Sequence, residues 1–554
     1  MVLLTNIAAV MSPWILLHAI DQLYLEISRG ILLYYSLMIV TISCIEGTFR
    51  YCMRRILIGV SRKIEYDLRN KIFSHLQNLS PSFYQRNSTG DLMSKSINDL
   101  NAVRMVLGPG IMYSINTLFT SILIVGILVR MNIALAILTL MPLIAVSYLV
   151  KYFGHRINQL FEKIQEQFST MTTLAQENVS GIRVVKAYNQ EQAFIQRFRG
   201  ANDDYVQKSL ALVKIWGLFG PLLTFLLGLS AVGLIWYGGR EVIQGSLTLG
   251  ELVAFIAYLA MLTWPTIALG WVINIFERGA ASMGRINRIF DAKPEIRDDN
   301  PVHTNKFNGN ITIKNLNFSY NGTPILRNIS FEIKAGQTLA IVGNTGSGKS
   351  TLVNLLCRLY QTPTATIFID GIDINSIPLK QLRKNIGYVP QDTFLFSETV
   401  GKNISFGRPE ASLNSITQTA KISNIYLDVE DFPEKFETFV GERGITLSGG
   451  QKQRISISRA LLVEPKILIL DDALSSVDTE TEERILYRLS KSLVNQTAIL
   501  ISHRISTVRM ADQILVLDNG EIMERGTHRE LLQIQGYYAD LYHKQLLKEE
   551  LQVK

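Results

Sequence analysis

A glycine-rich loop stands between an apolar strand and an apolar helix in the C-terminal half of the chain. The predicted strand 339–342 runs into this loop, and the predicted helix 352–359 follows it. Glycines let backbone N–H groups turn inward around phosphates, and a helix N-terminus favours negative charge. Lys349 is expected to reach the terminal phosphates, and the Ser350 hydroxyl to ligate Mg²⁺. The pattern therefore predicts a nucleotide site formed by Gly343, Asn344, Thr345, Gly346, Ser347, Gly348, Lys349, Ser350 and Thr351.

A second apolar strand, 467–470, ends in two carboxylates, Asp471 and Asp472. Carboxyl ends of parallel strands meet at one edge of a sheet, so a carboxylate here would face the phosphates. Mg²⁺ beside ATP is usually held by such an aspartate. We interpret Asp471 as the residue on the metal side, because a solvated turn residue is a weaker explanation next to a phosphate-binding loop.

Between these two motifs lies Leu447-Ser448-Gly449-Gly450-Gln451. This segment resembles the signature of ATP-binding-cassette (ABC) ATPases, and the whole chain resembles the type IV, B-subfamily exporters. The resemblance implies that two cassettes meet head to tail, so that the signature of one closes over ATP held by the other. Ser448 and the glycine N–H groups suit this role, because a helix N-terminus just behind them favours a phosphate.

Five further positions match the family pattern, each beside a simpler structural interpretation. Tyr320 takes the place of the aromatic that stacks on adenine, or is a strand-edge core residue. Gln391 matches the Mg²⁺-sensing glutamine, or is an exposed loop glutamine. His503 matches the switch histidine that contacts the γ-phosphate, or is a histidine without a special role. Asp478 matches an inter-cassette aspartate, or is a helix N-cap. Glu442 resembles part of a cross-talk loop, although a surface acid is nearly as good an explanation.

One departure from the family concerns the general base. The family usually has a glutamate directly after the metal-side aspartate, where this chain has Asp472. Losing one methylene shortens the reach by about 1.5 Å, and such a misplacement can cost on the order of 10²-fold in rate. With Gly245 to Gly250 and Trp264-Pro265, the surrounding segment 470–475 resembles the A half of bacterial multidrug-resistance-like heterodimeric exporters. We favour a heterodimer, and a homodimer with a slow aspartate base is the alternative.

The N-terminal half must supply the membrane domain that the resemblance implies. Of its six apolar runs, the third to the sixth contain no Asp, Glu, Lys or Arg, which is typical of helices in lipid. Each run is long enough to cross a hydrocarbon layer about 30 Å thick. We read the first run as a spanning helix and not as a cleaved signal peptide. The six predicted spans are 2–20, 31–52, 111–129, 133–150, 215–237 and 252–276.

Basic residues predict the orientation of these spans. They are concentrated between the second and third spans and between the fourth and fifth, which places both segments and the C-terminal half in the cytosol. Apolar residues at helical spacing extend the spans below the membrane. Ser80-Pro81 and Thr89-Gly90-Asp91 predict a helix break and restart at the first tip. We assign coupling to the regions around Phe83 and 183–188.

The fold class follows as multidomain: an all-α six-helix transmembrane domain and an α/β phosphate-loop ABC domain. We predict boundaries at 1–290 for the membrane domain, 291–309 for a linker and 310–554 for the cassette. The net charge of +8 is spread between apolar runs, so a nucleic-acid partner is not expected. Three cysteines, Cys44, Cys52 and Cys357, build neither a disulfide framework nor a zinc site, which agrees with a reducing cytosol.

The expected activity is ATP-driven export of amphipathic drugs or lipids by a dimer in the bacterial inner membrane. A homodimeric lipid flippase, a peptide exporter and a low-turnover ATP-binding sensor are the alternatives. A soluble cassette ATPase and an importer fit the six spans poorly. Glu46 and Arg50 are expected to pair and either line the transport cavity, influencing cationic substrates, or lie at the cytoplasmic boundary. Aromatic candidates for an apolar pocket, or for lipid-facing and helix-packing positions, are Trp216, Phe219, Tyr258 and Trp271.

Overall fold

A computed structural model describes residues 1–25, 28–298, 301–302, 306–492 and 496–552, with side chains up to residue 546. The chain forms two compact units: Met1–Gln77 with Ser88–Ala292, and Asn78–Asn87 with Lys293–Lys554. The boundaries given above stay a prediction. Part of the predicted linker, residues 299–300 and 303–305, lies outside the described residues.

The first unit is built from long helices. In the described part of the chain, six of them are long and apolar enough to cross a membrane, and each contains one predicted span. A helix satisfies every backbone hydrogen bond within itself, which is what a segment in lipid requires. The six helices are Val2–Leu25, Arg29–Asn78, Thr89–Met131, Ile133–Ser180, Glu191–Ile243 and Leu249–Asp291.

Short polar residues fix the ends of these helices. Asn132, the single residue between the third and fourth helices, accepts a hydrogen bond from the N–H of Leu135 at 2.9 Å. Thr248 caps the sixth helix, and its hydroxyl donates to Asp21 near the end of the first helix at 2.7 Å. The tight turns leave little protein between the paired helices.

The core of the first unit lies where the first, third, fourth, fifth and sixth helices meet. Tyr258 is fully buried there, and its hydroxyl donates to the carbonyl of Val10 at 2.9 Å. Farther along, Asp99 is buried and accepts hydrogen bonds from Ser282 at 3.0 Å and from the Arg285 guanidinium at 2.5 and 2.8 Å. This paired charge ties the third helix to the C-terminal part of the sixth.

Two sheets organise the second unit. A four-stranded antiparallel sheet has the order β2-β1-β4-β5, and a six-stranded sheet has the order β10-β9-β3-β8-β7-β6. In the larger sheet β9, β3, β8, β7 and β6 are parallel, and β10 pairs antiparallel with β9. The strands are β1 Ile311–Tyr320, β2 Thr323–Ile333, β3 Thr338–Gly343, β4 Ile367–Ile369, β5 Ile372–Asp373, β6 Ile386–Val389, β7 Ile467–Asp471, β8 Thr497–Ile501, β9 Gln513–Asp518 and β10 Glu521–Gly526.

Helices cover both faces of the parallel sheet. Alternate residues of β3 enter different clusters: Leu339 and Ile341 pack toward the phosphate-loop helix, and Ala340 and Val342 toward the C-terminal helices. A parallel strand buried on both faces must be apolar throughout, as this one is. The α-helices of this unit are Pro81–Arg86, Lys349–Leu356, Leu379–Lys384, Val400–Ile404, Leu413–Ile422, Tyr426–Glu430, Gly449–Leu462, Thr479–Ser492, Ile505–Val508, His528–Ile534 and Tyr537–Gln552.

The short helix Pro81–Arg86, here called the tip helix, contacts residues of the cassette that lie outside its strands. Its hydroxyl and guanidinium groups at Ser82 and Arg86 bind the Glu295 carboxylate at 2.6 and 2.9 Å. Gln85 donates to the Tyr360 hydroxyl at 2.7 Å. The predicted break and restart are confirmed, because the preceding helix ends at Asn78 and Ser88 caps the helix that begins at Thr89.

Candidate nucleotide site

Four neighbouring strands deliver the predicted site residues to one edge of the parallel sheet. In the order β3, β8, β7 and β6, their carboxyl ends lead into the phosphate loop, His503, Asp471 with Asp472, and Gln391. The edge beyond the carboxyl ends of parallel strands is where α/β proteins bind ligands. The sheet order therefore brings together residues that are about 160 positions apart in sequence.

A cavity of about 270 Å³ opens at this edge. It is a polar recess against the phosphate loop. The lining side chains are mostly hydroxyl, carboxylate, imidazole, amide and ammonium groups, which suits a nucleotide with a hard cation. Its walls are Ile325, Thr345, Gly346, Gly348, Lys349, Ser350, Thr351, Gln391, Asp471, Asp472, Ile501 and His503.

The loop conformation requires glycine at two positions. Gly343 has φ +149°, and a Cβ atom there would lie 2.0 Å from the carbonyl oxygen of Leu517. Gly348 has φ +97°, and its Cβ would lie 2.7 Å from a methyl group of Leu326. Both values lie in the region that only glycine adopts freely. The turn leads into helix Lys349–Leu356, and the N-terminus of a helix favours a phosphate.

Lys349 is folded into the loop, with only 6% of its surface exposed. Its ammonium group donates to the carbonyl oxygens of Gly343 at 2.9 Å and Asn344 at 2.7 Å. Burial lowers the pKa of Lys349, and the carboxylates of Asp471 and Asp472 oppose that shift. An anionic group such as a phosphate would bind this ammonium more strongly than the two neutral carbonyl oxygens do.

The two carboxylates occupy different surroundings. Asp471, the last residue of β7, is 2% exposed and accepts a hydrogen bond from Ser350. Burial raises the pKa of Asp471, with the Ser350 hydrogen bond acting in the other direction. A hydroxyl and a carboxylate in contact are donors that Mg²⁺ favours, so Ser350 and Asp471 fit a Mg²⁺ site, with Gln391 on the same cavity wall.

Asp472 sits at a backbone turn. Its φ is +48°, a conformation that aspartate tolerates better than most residues, and its N–H donates to the Ile501 carbonyl at 2.9 Å. Burial raises the pKa of Asp472, and nearby His503 opposes the shift. A carboxylate with a raised pKa beside the cavity can accept a proton from an attacking water.

Tyr320 ends β1 beside the cavity rather than in its wall. Its ring packs edge to face against Phe318 at 4.9 Å and Tyr360 at 5.0 Å, and its hydroxyl contacts Thr351. Burial raises the pKa of Tyr320 to about 12. The half-buried ring combines core packing with a location suited to an adenine base.

The signature segment begins a helix of its own. Ser448 caps helix Gly449–Leu462: its hydroxyl accepts from the N–H of Gln451 at 3.3 Å, and the Gln451 side chain accepts from the N–H of Ser448 at 3.0 Å. Leu447 packs into the neighbouring apolar cluster. The described cavity wall includes none of Leu447, Ser448, Gly449, Gly450 and Gln451, so a single chain does not bring its signature to its own phosphate loop.

Asp478 and Glu442 are found in simple structural positions. Asp478 accepts a hydrogen bond from the N–H of Thr481 at 2.9 Å, as an N-cap of helix Thr479–Ser492. This hydrogen bond lowers the pKa of Asp478. Glu442 is exposed and begins the 3-10 turn Glu442–Gly444. Roles of both residues toward a second cassette stay predictions.

In the first unit, Glu46 and Arg50 form the expected ion pair on the second helix. Tyr258 belongs to the helix-packing core described above, so its place in a ligand pocket is not supported. Trp216 is more than half exposed and packs against Phe219, and Trp271 packs edge to face against Tyr113.

Several contacting residues escape sequence reasoning. Tyr360 and Glu295 have no motif around them, and they matter only because Gln85 and Ser82 of the tip helix contact them. Gln453 and Glu482 are polar residues on helices that bury them, which no local pattern shows. A buried charged or amide group is recognisable only when the packing around it is known.

Family models match both halves of this architecture. Residues 1–266 match the ABC transporter transmembrane region, and residues 326–475 match the ABC transporter family that carries the nucleotide site. The chain belongs to the ABC transporter family. It combines six membrane-type helices with an ATP-binding cassette, and it is an ATPase coupled to transmembrane export.

The chain resembles particular exporters over nearly its whole length. It is 38% identical over 554 residues to the probable multidrug resistance ABC transporter YheI of Bacillus subtilis (strain 168), covering 99% of this chain and 94% of the relative. Identity is 37% to the ATP-dependent lipid A-core flippase of Syntrophus aciditrophicus (strain SB), over 96% and 89% of the two chains. Multidrug resistance-like protein MdlA of Escherichia coli (strain K12) is 35% identical, over 95% and 89%.

A solved structure of a bacterial Atm1-family ABC exporter with ATP bound has the same fold. Its TM-score is 0.81 at 30% identity, and the match covers 98% of this chain and 96% of that one. The likeness spans both units, so the membrane helices and the cassette belong to one exporter architecture.

Proposed function

We propose that the chain exports amphipathic small molecules, drugs or lipids, as one half of a heterodimer in the bacterial inner membrane. The observation that carries this proposal is Asp472 in the position of the general base, on the wall of the cavity that also holds the phosphate loop. Its carboxylate is one methylene shorter than the usual glutamate, so hydrolysis here is slow while binding is retained.

Different residues of the cavity bind the phosphates, Mg²⁺ and the attacking water. Lys349 and the glycine N–H groups hold the phosphates, and Ser350, Asp471 and Gln391 hold Mg²⁺. When bound, Mg²⁺ neutralises charge that develops on the phosphates. Asp472 and His503 orient the attacking water, and Tyr320 supports the adenine ring.

A second chain is needed to complete the site. Since the signature lies outside the cavity of its own chain, we infer that Ser448 and its glycines cap ATP held by the partner, near Asp478. The partner then carries the stronger base. Resemblance to YheI, named a probable multidrug resistance transporter, and to MdlA, named a multidrug resistance-like protein, supports the substrate class.

Coupling to the membrane helices runs through the tip helix. Its bonds to Glu295 and Tyr360 attach it to the cassette, whereas the second tip, Ile182–Ala187, exposes Val184 and Tyr188. We propose that both tips transmit cassette closure as levers.

The test is reconstitution of the chain in lipid, alone and with a candidate partner half that carries a glutamate. We expect the chain alone to bind Mg-ATP and hydrolyse it slowly, and the pair to hydrolyse it at exporter rates and move a fluorescent amphipath. Lys349→Ala serves as the control without nucleotide binding. Full ATPase rates from the chain alone would refute the heterodimer.

A homodimeric lipid flippase is the second candidate, favoured by the 37% identity to the lipid A-core flippase. It predicts that the chain alone translocates labelled lipid in proteoliposomes. The two candidates therefore give opposite results in the same preparation.

A further inference from the structure

A fully buried carboxylate lies behind the nucleotide cavity. Glu482, on helix Thr479–Ser492, has 0% of its surface exposed. It accepts hydrogen bonds from Arg504 and Thr507, and one from Ser506 at 3.3 Å. A carboxylate survives such burial only when charge and hydrogen bonds compensate it, and here one cation and two hydroxyls do so.

Arg504 connects this carboxylate to the catalytic loop. Its guanidinium donates to the carbonyl oxygens of Val477 at 2.9 Å and Ser475 at 3.1 Å, in addition to Glu482. Both carbonyls belong to the loop that begins at Asp472. Arg504 also directly follows His503 in sequence. One planar fork therefore spans the two segments that carry the proposed base and the proposed switch histidine.

The same loop is held from its other side by Gln453. This side chain, 3% exposed, donates to the Ser475 hydroxyl at 2.9 Å and accepts from the N–H of Ser476 at 2.9 Å. It lies on the helix that begins with the signature. The loop after Asp472 is thus fixed between a buried amide and a buried ion pair.

We propose that Glu482 is a positioning residue for ATP hydrolysis, acting through Arg504 to hold Asp472 and His503 in fixed relation. This inference rests on the proposed roles of those two residues. Without the carboxylate, the guanidinium loses its buried counter-charge and its hold on Ser475 and Val477 weakens. Asp472 has a short reach, so its placement depends closely on the backbone that Arg504 holds.

The test compares Glu482→Gln with Glu483→Gln in the full chain. Glu483 is the matched control: it is the next residue, more than half exposed, and pairs with Arg509 at 3.4 Å. Amide hydrogen exchange is measured without nucleotide. Mg-ATP affinity and steady-state ATPase activity are measured in lipid. ATPase is followed with a partner half whose own catalytic glutamate is changed to glutamine, so that the turnover measured comes from this chain's site.

For Glu482→Gln we expect amide exchange in 473–478 and 503–507 to accelerate about 10-fold, while exchange in 338–356 stays unchanged. The kcat of this chain's site should fall about 10- to 100-fold, with KM for ATP within about 2-fold. Glu483→Gln should match the wild type in every measurement.

Exchange that is unchanged, or that rises evenly across the cassette, would overturn the proposal. Equal loss in kcat and in ATP affinity would also overturn it, because that pattern indicates a general folding defect. Should Glu482→Gln fail to fold, Thr507→Val removes one hydroxyl donor, keeps the ion pair, and should give a smaller shift in the same segments. Failure of the wild type to bind Mg-ATP would refute the proposed function, while the exchange comparison would still decide the role of Glu482.

Discussion

Substituting glutamate for Asp472 tests whether the reach of the carboxylate limits hydrolysis. Asp472 is on the wall of a cavity of about 270 Å³, so an added methylene extends into open space beside the phosphate loop. The extension restores about 1.5 Å of reach, and a shift of that size is worth on the order of 10²-fold in rate. We therefore expect Asp472→Glu to raise kcat by about 10- to 100-fold.

The backbone conformation at position 472 makes the substitution only slightly destabilising. At φ +48°, a glutamate is accommodated less well than an aspartate, and the cost is about 1 kcal/mol. Domains of this kind have about 5–15 kcal/mol of stability, so the variant should fold. The rate effect, worth about 1.4 kcal/mol per factor of ten, is the larger of the two.

The assay is Mg-ATPase of the purified chain in lipid, alone and with its partner half, alongside binding of a fluorescent ATP analogue. Asp472→Asn is the control, since it keeps the size of the side chain and removes the base. We expect unchanged binding in all three proteins and the rate order glutamate, aspartate, asparagine. If Asp472→Glu and the wild type have equal kcat, reach is not limiting and the heterodimer argument fails.

Four further predictions concern the same unit. Burial raises the pKa of Asp472, so ATPase activity that needs its ionised carboxylate should be lost at a higher pH than with an ordinary aspartate. A pH–rate profile would show this loss, and Asp472→Asn should flatten the profile. Gly343→Ala should cost about 1–3 kcal/mol and abolish nucleotide binding, measured by thermal unfolding with and without Mg-ATP. Ser448→Ala should lower the free energy of unfolding by about 1 kcal/mol, because a helix cap is lost, as denaturant unfolding would show. It should also slow hydrolysis at the partner's site while this chain still binds ATP, which photolabelling can measure. Gln85→Ala loses the hydrogen bond to Tyr360, worth about 1 kcal/mol, and should lower transport more than ATPase, as the ratio of the two rates in proteoliposomes would reveal.

The phosphate loop and the membrane spans could be predicted from the sequence, because local residue patterns define them. The phosphate loop is recognisable because strand, glycine turn and helix are consecutive in the sequence. The six spans are recognisable because apolar runs of that length belong in lipid. The family resemblance added expected roles for Gln391 and His503, which no local pattern assigns.

Only the tertiary structure decided which distant segments meet. The order β3-β8-β7-β6 places His503 and Gln391 beside the phosphate loop, and strand order depends on packing across the whole sheet. Burial of Glu482 depends on the elements packed around it, and the local sequence shows only a helix that begins with acidic residues. Contact of the tip helix with Tyr360 likewise joins residues 275 positions apart. Periodicity and motifs encode what a segment is, whereas the free energy of burying side chains between segments selects its neighbours.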